Sequence, residues 1–78
     1  MRILVGNLNA RTTAQHVANL FVQFGKVVSV RIERAGMAFV EMESKAGMIA
    51  IRELDGVNFM NHYLDIAEVA PPSQYAVR

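Results

Sequence analysis

The chain switches between two hydrophobic rhythms, and the switches mark its elements. Arg2-Ile3-Leu4-Val5-Gly6-Asn7 is a short branched-apolar run closed by a Gly-Asn turn signal, which predicts a strand. Thr12-Thr13 offers hydroxyl caps for a helix, and Val17, Leu20, Phe21 and Phe24 follow at i, i+3, i+4, i+7 on one helical face. Gly25 then stands where a left-handed helix stop is expected. Val28-Ser29-Val30-Arg31-Ile32-Glu33 alternates at the strand period. Arg34-Ala35-Gly36 is a tight connection to a further strand, Gly36 to Met42. Ser44 is placed to cap a second helix with Gly47, Ala50, Ile51 and Leu54 on its apolar face and Gly56 at its end. Residues 57–62 read as a loop, and Tyr63 to Val69 as a last strand that Pro71-Pro72 cannot continue.

The order β-α-β-β-α-β is the split βαβ, or ferredoxin-like, pattern of an α+β protein. It predicts a four-stranded antiparallel sheet. Right-handed crossovers place both helices on one face and leave the other bare. Residues 1–70 are expected to form this domain, with 71–78 as a loose tail in which Tyr75 folds back on the sheet or hangs free.

Alternation assigns the two faces. Ile3, Val5, Val30, Ile32, Ala38, Val40, Met42, Leu64 and Ile66 point toward the helices. Arg2, Leu4, Gly6, Ser29, Arg31, Glu33, Met37, Phe39, Glu41, Tyr63, Asp65 and Ala67 point to the bare side. That side offers Leu4, Met37, Phe39 and Tyr63 as apolar or aromatic area, and Arg2 and Arg31 as cations among Glu33, Glu41 and Asp65.

Composition narrows the chemistry. At 78 residues there is one domain and no room for a second core. Hydrophobic content of 53% argues for a packed core. Cys is absent, which excludes disulfides and thiolate metal sites, and His16 and His62 are expected to face solvent without a ligand role, so no metal and no cofactor are expected. His16 sits where a capping-box acid is usual, which is expected to cost one helix-start contact. No apolar run is long enough for a membrane span or an export signal, so a cytoplasmic protein is expected. The net charge of +1 gives little long-range pull on phosphates, so any nucleic-acid contact must rest on placed residues.

Ile3-Leu4-Val5-Gly6-Asn7-Leu8 resembles the second ribonucleoprotein motif of the RNA recognition motif family, and Ala35-Gly36-Met37-Ala38-Phe39-Val40-Glu41-Met42 resembles the first. Leu20-Phe21-x-x-Phe24-Gly25-x-Val27 and Ala50-Ile51-x-x-Leu54-Asp55-Gly56 are also similar to that family, so the resemblance covers residues 2–69. In its compactness the chain resembles stand-alone, single-motif bacterial members. The resemblance implies binding of single-stranded RNA on the open sheet, with bases stacked on aromatic side chains of the two motifs. Its three stacking positions fall on Leu4, Met37 and Phe39, of which only Phe39 is aromatic. The basic residue that usually opens the longer motif is Ala35, with Arg34 one step earlier. Binding is therefore expected to be weak, micromolar or worse, with Arg2, Arg31 and Tyr63 as further contacts. Leu4 and Met37 read equally as an apolar floor for bases or as a protein-contact patch.

The helices carry a second anomaly. Ala14, Ala18 and Val22 form a stripe beside the buried one, and Met48 and Ile49 lie away from the core face of the second helix. Joined apolar patches mark partner surfaces. The alternative function is thus self-association or protein binding, through the helix surface at Ala18, Val22, Met48 and Ile49 or through the apolar sheet. A protein-binding branch of the family carries Arg-x-Phe before the last strand. Here Val57-Asn58-Phe59 keeps Phe59 without the Arg, so Phe59 is expected to pack on the second helix. Catalysis is not expected. Asn9-Ala10-Arg11 supplies residue types for phosphate chemistry but no Gly-rich cradle, and no triad or carboxylate pair can be placed.

Overall fold

Alternating side chains make the first strand, β1 (Arg2–Gly6), two-faced: Ile3 and Val5 are fully buried, whereas Arg2 and Leu4 reach the opposite side. The computed structural model describes residues 1–34 and 36–69. After β1 come α1 (Ala14–Val22), β2 (Val27–Arg34), β3 (Met37–Met42) and α2 (Ser44–Leu54). A short hairpin follows, β4 (Asn58–Phe59) with β5 (His62–Tyr63), and then β6 (Asp65–Val69). The main sheet is antiparallel in the order β2-β3-β1-β6. This is the expected ferredoxin-like α+β fold. The expected tail, with Tyr75, lies outside the described residues, as does Ala35. Among the described residues no helix is long and apolar enough to cross a membrane.

The core lies between the helices and one sheet face. Val17 and Phe21 of α1 and Ala46, Gly47, Ala50 and Leu54 of α2 are buried with Ile3, Val5, Ala38, Val40, Met42, Leu64 and Ile66. Both helical stripes are those the spacing predicts, with Leu20, Phe24 and Ile51 partly buried at their margins.

The helix caps differ from expectation in two places. Thr13 caps α1 as expected, its Oγ1 accepting from the His16 N–H at 3.2 Å. His16 does not forfeit the reciprocal contact: its Nδ1 accepts from the Thr13 N–H at 3.1 Å and completes the box that an acid usually closes. An imidazole nitrogen bearing a lone pair can accept a hydrogen bond as a carboxylate does. The cap of α2 is Glu43 and not Ser44, because the longer carboxylate accepts from the Lys45 and Ala46 N–H groups, each at 3.1 Å. Those bonds, that from Lys45 first, hold the Glu43 carboxyl below the ordinary value of 4.5. A group depressed in the folded state stabilises it above the unfolded pKa and loses that contribution as pH falls through the folded value. Acidification from above pH 4.5 should therefore lower the melting temperature of the parent more than that of Glu43→Gln, followed by circular dichroism. Parallel curves for the two would contradict the cap.

Three strand expectations also need correction. Ile32 pairs with Ala38 and so shares its helix-facing side, yet it stays 37% exposed because β2 is an edge strand of the main sheet. A register shift between Ile32 and Arg34 sets Arg34 opposite Met37. Residues 57–62 are not an open loop. Met60 and Asn61, at φ 52° and 69°, turn Asn58–Phe59 back onto His62–Tyr63. Tyr63 thus belongs to this hairpin, and the last strand of the main sheet begins at Asp65.

Candidate functional site

The bare face is a grid fixed by strand register. Its central row runs Arg31, Phe39, Leu4, Ala67 across β2, β3, β1 and β6. One neighbouring row is Ser29, Glu41, Arg2, Val69; the other is Arg34, Met37, Gly6, Asp65. Of the sequence-predicted residues, the fold brings Arg2, Leu4, Arg31, Met37 and Phe39 together here.

Phe39 is half-buried at the centre of the grid, on the side away from the helices. Two guanidiniums flank it, with the Arg2 Cζ 5.7 Å and the Arg31 Cζ 6.0 Å from the ring centroid. Both distances lie within the range of cation–π attraction. Arg31 Nε also meets a Glu33 carboxylate oxygen at 2.6 Å, and Arg2 Nε approaches Glu41 at 3.9 Å. The two cations therefore pair both with the ring and with acids on the same face. Phe39, Arg2, Ser29, Arg31 and Glu41 surround a shallow depression over the sheet. Chemically it combines an aromatic floor with donor and acceptor groups at its rim.

Arg34 is a residue that strict alternation missed. The register shift in β2 brings it into the Met37 row, so three Arg stand against Glu33, Glu41 and Asp65. Tyr63, expected on the bare face as part of the last strand, instead sits 66% exposed in the hairpin beyond the end of β1. Its carbonyl accepts from Asn7 Nδ2 at 2.8 Å, and His62 Nδ1 lies 3.0 Å from the Asn7 carbonyl. Asn9 Nδ2 donates to the Met60 carbonyl at 2.9 Å. Asn7 is thus a tie between β1 and the hairpin as well as a turn residue, and the His62 ring is engaged in that tie.

The helix-side residues separate. Ala18 and Val22 line a groove between α1 and β2 with Ala14, Val27 and Val30, and Val22 is 54% exposed. Met48 and Ile49 are exposed on α2 and take no part in that groove. Phe59 is partly buried against the core and shares a depression with Leu20, Gln23 and Met60 beside α1.

A family model described as RNA recognition motif matches residues 3–65. The chain belongs to the RNA recognition motif family. The match spans both ribonucleoprotein motifs and every strand of the grid up to the start of β6. This RNA recognition motif is 33% identical to RbpE of Nostoc sp., a protein named for RNA binding, over 100% of this chain and 87% of the relative. It is 42% identical to the serine/arginine-rich splicing factor RSZ22A of Arabidopsis thaliana, over 73% of this chain and 31% of that protein. Among solved structures, the crystal structure of RNA binding protein PG1 superposes with a TM-score of 0.84 at 34% identity, covering 91% of this chain and 95% of that one. Family and relatives together support RNA as the ligand class.

Proposed function

We propose that this protein binds single-stranded RNA, without catalysis, on the open face of its sheet, with Phe39 as the main stacking platform. The observation that carries the reading is the half-buried Phe39 ring at the centre of the grid with Arg2 and Arg31 on either side. A base stacks on the ring, and the flanking guanidiniums meet either the phosphates beside the stack or the edge of the base. Leu4 and Met37 extend the platform as an apolar floor. Single-stranded RNA fits better than a duplex because only unpaired bases can lay a face on the sheet.

Affinity in this reading is weak, micromolar or worse. Each stacked base contributes about 1–3 kcal/mol, and two of three platforms lack a ring. Glu33 and Glu41 compete with phosphate for Arg31 and Arg2. Fluorescence anisotropy with a labelled, short, mixed-sequence RNA tests it. Phe39→Ala should weaken binding about 5- to 150-fold. Affinity unchanged within twofold, in a variant that melts like the parent, would remove Phe39 from the site.

A further inference from the structure

Resting on the RNA reading above, we propose that Glu41 makes the Phe39 subsite selective for guanine. A base lying on Phe39 turns its edges toward the rim of the depression, and the polar side chains of that rim are Arg2, Ser29, Arg31 and Glu41. Glu41 stands two residues along β3 from Phe39 on the same face, directly opposite Arg2 on β1 and Ser29 on β2. Arg31 stands directly opposite Phe39. The ring therefore has a carboxylate toward one side and guanidiniums flanking it.

The chemistry of this rim is asymmetric. An ionised carboxylate only accepts hydrogen bonds, and a guanidinium only donates them. The matching base carries two adjacent donors on one edge and two adjacent acceptors on another. Guanine has both, with N1–H and the N2 amine for the carboxylate and O6 and N7 for a guanidinium. Adenine and cytosine place a ring-nitrogen acceptor beside their single amine, so one carboxylate oxygen would face a lone pair. Uracil flanks its one N–H with two carbonyls. Each of these bases forfeits a contact and gains a repulsion, which is how selectivity arises.

Glu41 is also the acid best placed to read a base. Glu33 is held against Arg31 Nε at 2.6 Å, whereas the approaches of Glu41 to Arg2 and to the Met1 amine are both 3.9 Å, and its side chain is 42% exposed. Arg31, anchored through Nε, still presents its terminal N–H groups.

The test uses short oligouridines in which one central position is G, A, C or U, a design that avoids guanine tracts. Anisotropy titrations should show the G oligomer binding the parent at least about fivefold tighter than the other three. In Glu41→Gln the preference should shrink to within about twofold while the all-U oligomer binds more tightly, because one negative charge has left the face. A purely structural role for Glu41 would instead lower affinity for all four together. Equal binding of the four oligomers by the parent, or an intact G preference in Glu41→Gln, would overturn this inference and leave the RNA reading standing. No binding of any of the four would overturn the RNA reading and this inference with it.

Discussion

A Leu4→Tyr, Met37→Phe double variant should bind single-stranded RNA roughly 30- to 1000-fold more tightly than the parent, equivalent to about 2–4 kcal/mol. The grid gives both rings room. Leu4 is opposite Phe39 on one side and the small Ala67 on the other. Met37 is opposite Gly6, which has no side chain to crowd a phenyl ring. Tyr at position 4 would stand directly across from Phe39, where cross-strand aromatic pairs are favourable. Three rings in two adjacent rows would then offer successive bases successive platforms. Both substitutions lie on the face away from the core, so fold stability should change little. Anisotropy titration of the parent, each single variant and the double variant measures the gain. Affinity equal to that of the parent would show that bases do not lie on this face.

The largest expected effect on stability is at Gly25. Past the end of α1 the chain tightens, with Phe24 N–H donating to the Phe21 carbonyl and Gly25 N–H to that of Val22. Gly25 then passes so close to α2 that a β-carbon there would lie 2.6 Å from Ala46 Cβ. Two carbons cannot share that distance, so any side chain must force the helix ends apart. Gly25→Val should cost about 3 kcal/mol and lower the melting temperature by about 15 °C. At Gly56, whose φ is 80°, nothing lies within 4 Å of an added β-carbon. Gly56→Ala should then show only the strain of a left-handed backbone, about 1–2 kcal/mol. Thermal melts of both variants compare the two causes. A Gly25→Val protein melting within a few degrees of the parent would contradict the close helix contact.

Gly25 also shows where sequence reasoning stopped. The spacing marks Gly25 as a left-handed helix stop, but α1 ends at Val22 with Gln23 as its cap, and Gly25 takes φ 159°. Its glycine is required instead by the approach of Ala46, which lies 21 positions away and is invisible to local rules. The fold itself was legible because its signals are local: Val17 and Phe21, or Ala50 and Leu54, fall on one face by helical spacing alone. So was the pairing of Leu4 with Phe39 on one face, which needs only the strand period and the element order. Position within the sheet is not local. Ile32 keeps the correct face yet stays exposed, since alternation does not say that β2 lies at the edge. The register shift that recruits Arg34 left no pattern of its own. Asn61 tolerates positive φ and hinted at a turn, but Met60 gave no such signal, so the hairpin that removes Tyr63 from the main sheet went unread. His16 was missed by treating the capping box as a list of residue types instead of an acceptor at the right distance.

The most direct test of the open-face claim is to follow backbone amide shifts while short mixed single-stranded RNA is added to the protein. Shifts should concentrate at Arg2, Leu4, Arg31, Met37 and Phe39, with Ala18, Val22, Met48 and Ile49 unmoved. Shifts confined to the helix side, or none at saturating RNA, would contradict RNA binding on the bare face of the sheet.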